Sequence, residues 1–197
     1  MFNSVKIAIF ISGAGSNAKN LIHYFSQNTE VEISFVISEK INPELEQLCN
    51  LHEISFIQPA KYQVSAPDYL IKTCLDYDIN FIVLAGFLKK IPEELIQKFP
   101  EKIVNIHPSL LPKFGGKGMY GDYVHRAVLE ANEKESGITI HLVNEEYDKG
   151  KILAQFSVPI LPDETVETLR EKIKKLEHTH LPRVIQTLLL SHEKTTI

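Results

Sequence analysis

VKIAIFISGAGSNAKNLIHYF, Val5 to Phe25, is the stretch that decides the fold. Val5, Ile7, Ile9 and Ile11 alternate with Lys6, Ala8 and Phe10 in a β-rich run that meets two glycines, the pattern of a buried strand. Ser16 or Asn17 then stands where a side-chain oxygen caps a helix, and Leu21, Ile22 and Phe25 give Ala18 to Phe25 an apolar stripe. A strand thus enters a helix through a glycine loop. Such a turn aims backbone N–H groups and the positive end of a helix dipole at whatever lies above it, which favours an anion. Three readings stay open on these residues alone. Gly13 to Ala18 fits the looser dinucleotide fingerprint, with Glu39 as its ribose-binding acid. The hydroxyl of Ser16 and the amide of Asn17 suit a terminal phosphate monoester. A plain turn that binds nothing has the same local pattern.

The same unit recurs along the chain. A strand from Glu32 to Ile37 precedes a helix opened by Asn42-Pro43, with Leu45, Leu48 and Leu51 on its apolar side. A strand at Ile54 to Ile57 leads to a helix from about Pro67 to Tyr77 with Leu70, Ile71, Cys74 and Leu75 inward. The strands NFIVLAG, from Asn80, and KIVNIH, from Lys102, follow. Strands alternating with helices predict an α/β, doubly wound, mainly parallel Rossmann-like sheet. GITIHLV, from Gly137, and KILAQFSVP, from Lys151, are separated only by Asn144 to Gly150, too little for a helical crossover. They predict an antiparallel pair near the C-terminal end. A last helix runs from Thr165 to about Leu190, where Pro182 is expected to kink or interrupt it. In such sheets ligands bind beyond the carboxyl ends of the strands. The segments Gly13 to Asn17, Gly86 to Ile91 and the one beginning at Asn105 should therefore meet.

Composition narrows the function classes. The 197 residues carry no linker-like stretch, so a single domain over 1–197 is expected. A net charge of −4 with scattered Lys and Arg argues against a nucleic-acid surface. Cys49 and Cys74 lack metal-ligand or CxxC spacing and read as small buried hydrophobes in a reducing, cytoplasmic setting. No apolar stretch approaches the roughly 18 residues of a membrane span, and the strand at the N-terminus leaves no room for a signal peptide.

KIVNIHPSLLPKFGG, Lys102 to Gly116, carries the chemistry. Asn105 and His107 lie two apart on a strand and share a face, with Pro108 and Pro112 stiffening the exit. An amide donates to a developing oxyanion without titrating, and an imidazole holds or releases a proton near neutrality, a pair suited to acyl transfer to an amine. The plain alternative for His107 is a satisfied histidine at a strand end. Asp148 lies in NEEYDKG, and Gly150 lets that loop turn back toward the sheet. There it would orient His107 and raise its pKa; otherwise it is a turn acid on a solvated face. His141, on the strand GITIHLV, either supports the site from behind or is merely packed. His178 and His180, two apart on a helix, do not make a metal pair, and no metal site is expected.

SGAGSN at Ser12 to Asn17, LAGFLKKI at Leu84 to Ile91, NIHPSLLPKF at Asn105 to Phe114 and ITIHLVNEEYDKG at Ile138 to Gly150 occur in order. Together they resemble the phosphoribosylglycinamide formyltransferase (GAR transformylase) family of folate-dependent formyltransferases, over essentially the whole chain. The resemblance implies that Gly15, Ser16 and Asn17 hold the substrate 5′-phosphate, a monoester and not a dinucleotide. It implies a catalytic group of Asn105, His107 and Asp148, and contact of Glu177 with the glycinamide end, where the plain reading is a solvated helix face. It also implies a folate site bordered by Leu88, Lys89, Lys90, Ile91 and Asn105 and by Asn144, Glu145, Glu146, Tyr147 and Asp148. The implied substrates are GAR and 10-formyltetrahydrofolate, in purine biosynthesis, with residues 1–100 as a phosphate-binding half and 101–197 as a catalytic and folate-binding half. The implied enzyme is a monomer or homodimer without metal. In this family's terms formyl transfer to another amine and hydrolysis of the donor are the neighbouring activities; outside it, a non-catalytic nucleotide-binding module or an NAD-dependent enzyme would use the glycine loop alone.

Three departures from the family pattern stand out. Lys89 replaces a frequent arginine, which removes the two-pronged fork for a carboxylate. The segment Gln58 to Asp68 lacks an arginine, and the loop FGGKGMYGDYVHRAV is longer than usual, its four glycines at 115, 116, 118 and 121 suggesting a mobile lid. The roles of Lys117, Tyr120 and His125 in that loop are open.

Overall fold

A computed structural model describes residues 4–193. The apolar run at the N-terminus forms β1 (Val5–Ile11), and the chain continues through α1 (Ser16–Phe25), β2 (Val31–Ser38), α2 (Pro43–Leu51), β3 (Ser55–Ile57), α3 (Pro67–Asp76) and β4 (Phe81–Leu84). It then runs through α4 (Glu93–Lys98), β5 (Ile103–His107), α5 (Asp122–Glu130), β6 (Glu135–Leu142), β7 (Ile152–Pro159) and α6 (Val166–Glu193). The strands make one sheet in the order β3-β2-β1-β4-β5-β6-β7. β1 pairs in parallel with both β2 and β4, and β4 with β5, while β6 runs antiparallel to its neighbours β5 and β7. The doubly wound α/β reading holds, with β6 as the reversed strand.

Both faces are covered, which is why β1 is apolar almost throughout. On one face Leu21, Leu45, Val124 and Leu169, from α1, α2, α5 and α6, pack on Ile7, Ile9, Val83, Val104 and Ile138. On the other, Leu70 and Cys74 of α3 and Leu95 and Ile96 of α4 pack on Ala8, Phe10, Phe35 and Ile82. Each fully buried Leu, Ile or Phe contributes about 1.5–3 kcal/mol. An exposed ion pair such as Lys72–Asp76 contributes about 0–1 kcal/mol, so the two apolar layers hold the sheet together.

Several local expectations are corrected. The cap of α1 is Gly15 in the left-handed region, with no side-chain cap bond, so Ser16 and Asn17 belong to the first turn. Leu51 is 76% exposed and Leu75 is 50% exposed. They lie six residues after Leu45 and five after Leu70, about 120° and 140° round their helices from those buried positions. Helices α4 and α5 are additional, and α5 takes the second half of the segment read as one glycine-rich loop. Pro182 does not interrupt α6. The carbonyl that its missing N–H leaves free is that of His178, four residues back, and Asn20 of α1 donates to it at 2.8 Å. Among the described residues no helix is long and apolar enough to cross a membrane.

The β6–β7 connection returns to the sheet through Gly150, where an added Cβ would lie 1.7 Å from the Leu142 carbonyl oxygen. At Gly13 it would meet nothing within 4 Å. Gly150→Ala should therefore cost about 2–3 kcal/mol, the scale of an overpacked site that cannot relax, and Gly13→Ala within about 0.5 kcal/mol. Urea unfolding of the two variants measures the difference.

Candidate active site

Strand order reverses between β1 and β4, and there the chain leaves a cavity of about 780 Å³. The loop after β1, the loop after β4, the end of β5, the glycine-rich loop, the β6–β7 connection and the first half of α6 line it. The three segments expected to converge do so: Ser12 N–H donates to Gly86 O at 3.0 Å, and Leu88 N–H to Ser12 Oγ at 3.0 Å.

At one end lies the start of α1. Gly15 has φ +71°, and a Cβ there would press on Leu45 at 2.8 Å, so only glycine fits. With no side-chain cap and no acidic residue in its first turn, the positive end of α1 stays open to an anion in the cavity. Asn17 is buried; its Nδ2 donates to Glu177 Oε2 at 2.9 Å, and its Oδ1 has no hydrogen-bond partner among the described residues. Glu177 is thus not on a solvated face. Burial pushes its carboxyl above the usual value, against the pull of Asn17 and Lys174.

At the other end Asn105, His107 and Asp148 come together. The register sets Asn105 opposite His141 and His107 opposite Thr139. Asp148, its side chain 11% exposed, is no ordinary turn acid: His107 Nδ1 lies 3.5 Å from its Oδ2, and Asn105 Nδ2 lies 3.4 Å from its Oδ1. Gly116 N–H donates to Oδ2 at 2.8 Å. Burial pushes the Asp148 carboxyl up, but nearby His141, the His107 charge and the Gly116 N–H outweigh it and hold it below the usual range. For His107 the balance is the reverse of the expected one. Burial lowers its pKa, and Asp148 and the Phe114 carbonyl, although both raise it, do not compensate. Burial thus favours the neutral imidazole in the free protein.

Leu88 to Ile91 and Asn144 to Asp148 line the same cavity, with Leu88 48% and Tyr147 39% exposed. Lys89, where an arginine was expected, is 3.1 Å from Glu39, so the acid weighed as a ribose ligand is an ion-pair partner instead.

A family model described as Formyl transferase matches residues 5–185. The chain belongs to the formyl transferase family. It is 42% identical over 180 residues to the chloroplastic phosphoribosylglycinamide formyltransferase of Arabidopsis thaliana, covering 88% of this chain and 61% of that one. It is 34% identical to the phosphoribosylglycinamide formyltransferase of Bacillus subtilis, covering 93% of this chain and 94% of the relative. The crystal structure of phosphoribosylglycinamide formyltransferase from Bacillus halodurans superposes with a TM-score of 0.83 at 32% identity, covering 93% and 95% of the two chains. The chain thus spans about 60% of the length of the plant relatives and nearly all of the bacterial ones.

Two cavity histidines gave no clear signal in the sequence. His141 Nδ1 contacts Leu142 O at 2.8 Å, which a carbonyl permits only as acceptor, and its Nε2 faces Asn105 Nδ2 at 3.1 Å and Asp148 Oδ1 at 3.6 Å. It braces Asn105 from behind; the alternation of GITIHLV put it on a strand face but not opposite Asn105. His125, on α5, is buried and lines the cavity, and its Nδ1 has no hydrogen-bond partner among the described residues. Burial lowers its pKa. Among the described residues no group of three or more His, Cys, Asp or Glu is placed to hold a metal.

The raised Glu177 carboxyl has a consequence for stability. The folded state binds its proton more tightly than the unfolded chain, so its contribution is complete below pH 4.5 and is lost as pH rises through the folded value. Glu177→Gln, which keeps an acceptor for Asn17, should therefore melt higher than the parent at pH 7.5, and the gap should close toward pH 4. Thermal unfolding at the two pH values checks this.

Proposed function

We propose that the chain transfers a formyl group from 10-formyltetrahydrofolate to the amine of 5-phosphoribosylglycinamide, the activity for which its relatives are named. One observation carries the reading: an open helix N-terminus and a convergent amide, imidazole and carboxylate lie in the same cavity, as a phosphorylated amine acceptor requires. The phosphate monoester sits on the N–H groups of Gly15, Ser16 and Asn17, and the free Asn17 Oδ1 and the Glu177 carboxyl take hydrogen-bond donors of the acceptor. The folate lies between Leu88–Ile91 and Asn144–Asp148, where exposed apolar side chains await a flat aromatic ring system.

The uncharged amine attacks the formyl carbon and the carbonyl oxygen becomes an oxyanion. Asn105 donates to it by releasing the longer of its two contacts, the 3.4 Å one to Asp148. The attacking nitrogen is then an ammonium, and neutral His107 takes its proton. The imidazolium so formed lies beside the Asp148 carboxylate, which stabilises it where burial alone would not. As the C–N bond to the folate breaks, His107 returns the proton to the departing nitrogen. The histidine thus enters as a base and leaves as one, in place of the protonated donor that a raised pKa would supply. A cytoplasmic location suits this chemistry and the two free cysteines.

Purified protein with both substrates should convert the folate, followed by absorbance, only when the ribonucleotide is present. Conversion without it would mean hydrolysis, and none would remove the reading. His107→Ala should lower kcat/KM by about 10²–10⁴-fold, and Asp148→Asn by about 10²-fold or more. The parent rate should fall as pH drops through a value below the ordinary histidine value. In Asp148→Asn that limb should move lower still, because the charge opposing burial is gone. A limb moving upward would contradict the neutral-base step.

A further inference from the structure

The glycine-rich loop touches the catalytic group through its backbone. His107 Nε2 lies 2.8 Å from the Phe114 carbonyl oxygen, and a carbonyl only accepts, so the hydrogen resides on Nε2. His107 Nδ1 faces Asp148 Oδ2 at 3.5 Å, longer than a charge-assisted hydrogen bond of about 2.7–2.9 Å, as fits a neutral ring with its lone pair there. The same Oδ2 accepts from Gly116 N–H at 2.8 Å. Two backbone groups two residues apart thus contact both members of the pair. We propose that this loop is a positioning element for the reaction: the Phe114 carbonyl and the Gly116 N–H together hold neutral His107 as the Nε2–H tautomer, with Nδ1 as the nitrogen that takes the proton. The inference deepens the formyl-transfer reading and rests on it for the role of His107.

The backbone is shaped for this task. Phe114 has φ +55°, an uncommon conformation for an aromatic residue, and Asp148 has φ +57°. Gly116 has φ +98°, open only to glycine. Ser109 Oγ donates to Lys113 O at 2.7 Å, and Lys113 Nζ pairs with Glu133 at 2.8 Å, fixing the chain just before Phe114. At Gly115 a Cβ would lie 3.2 Å from Asp148 Cβ, so the missing side chain lets the loop close on the carboxylate.

The other ionisable groups around His107 come from separate elements: Asp148 from the β6–β7 connection, His141 from β6, and His125 from α5 with the Asp122–Arg170 pair behind it. Among the described residues only Asp148 reaches the ring, and it does so at Nδ1. The Phe114 carbonyl is left as the group that selects the tautomer. Gly116 to Gly121 also line the cavity, so any displacement of this wall removes the acceptor from Nε2 and a donor from Asp148 in one movement.

The tautomer is read directly from ¹⁵N-histidine-labelled protein, with His107 assigned by its loss in His107→Gln. Above its titration range, long-range ¹⁵N–¹H correlations should show His107 as Nε2–H; a neutral Nδ1–H ring overturns the proposal. Gly116→Ala forces a side chain into positive φ and should abolish the single-tautomer pattern. Gly118→Ala, at φ +90° in the same loop but without contact to the pair, should keep it. Identical spectra for both variants, altered or not, overturn the proposal, and if Gly116→Ala does not fold the parent spectrum decides alone. No turnover is needed, so the result stands whether or not the protein proves to transfer formyl groups.

Discussion

A carboxylate taken out of water is costly unless hydrogen bonds replace its hydration, and Asp148 is the point where this constraint shapes the molecule. Its side chain is 11% exposed. Around it gather Asn105 and His107 from β5, His141 from β6 and the Gly116 N–H from the glycine-rich loop. These partners sit on a parallel strand, a reversed strand and an irregular segment, so the charge is satisfied only when the sheet order, the β5–β6 register and the loop are all correct. Because β6 runs back along β5, its last residue Leu142 lies opposite Val104, near the start of β5, and the connection to β7 must fold back through the tight turn at Gly150 to bring the carboxylate to Asn105 and His107.

The cavity carries opposite electrostatic demands at its two ends, and the fold meets each with a different device. The start of α1 supplies positive potential from backbone N–H groups, so its pull on an anion involves no titrating group of its own. Beside it Glu177 is kept in an environment that disfavours its charge, with Asn17 as its hydrogen-bond donor. At the Asp148 end burial works on two groups at once in opposite senses, pushing a carboxylate and an imidazole both toward neutrality. Donors rescue the carboxylate's charge; the imidazole's is not rescued. The result is an ionised acid beside a neutral base, ready to receive a proton and to stabilise it once received.

The elements could be read from the sequence because their signals are local. Period-two alternation in VKIAIFI and KIVNIH, the glycines after the first strand, and the short Asn144–Gly150 connection located β1, β5 and the antiparallel pair, and also the shared face of Asn105 and His107. Less legible was whatever depended on pairing between distant segments. The approach of Asp148 to His107 rests on the β5–β6 register and on the tight turn at Gly150, and neither is written in NEEYDKG. His141 had a visible strand position but no visible partner. The sign of the His107 shift was misjudged for a related reason: the nearby carboxylate could be anticipated, but the depth of burial that outweighs it is set by the whole sheet. Pro182 was expected to kink or interrupt its helix, because its rescue by Asn20 comes from a helix about 160 residues earlier.

Backbone strain separates what the fold needs from what the site needs. Among the described residues, the non-glycine positions with positive φ are Glu53, Asp78, Glu101, Phe114, Asn132 and Asp148. Glu53, Asp78 and Asn132 follow the ends of α2, α3 and α5, where the next residue's N–H returns to the last turn, as Ile54 to Cys49, Ile79 to Cys74 and Glu133 to Val128 do. Glu101 lies in the turn after α4, where Lys102 N–H returns to Phe99 O at 3.1 Å. The first three end helices and the fourth a turn, and all serve the fold. Phe114 and Asp148 end none. Each costs about 1–3 kcal/mol in such a conformation, and each places its functional atom, a carbonyl oxygen in one case and a carboxylate in the other, against the same imidazole ring. Helix termination explains neither; what they have in common is His107, so the strain is attached to the chemistry.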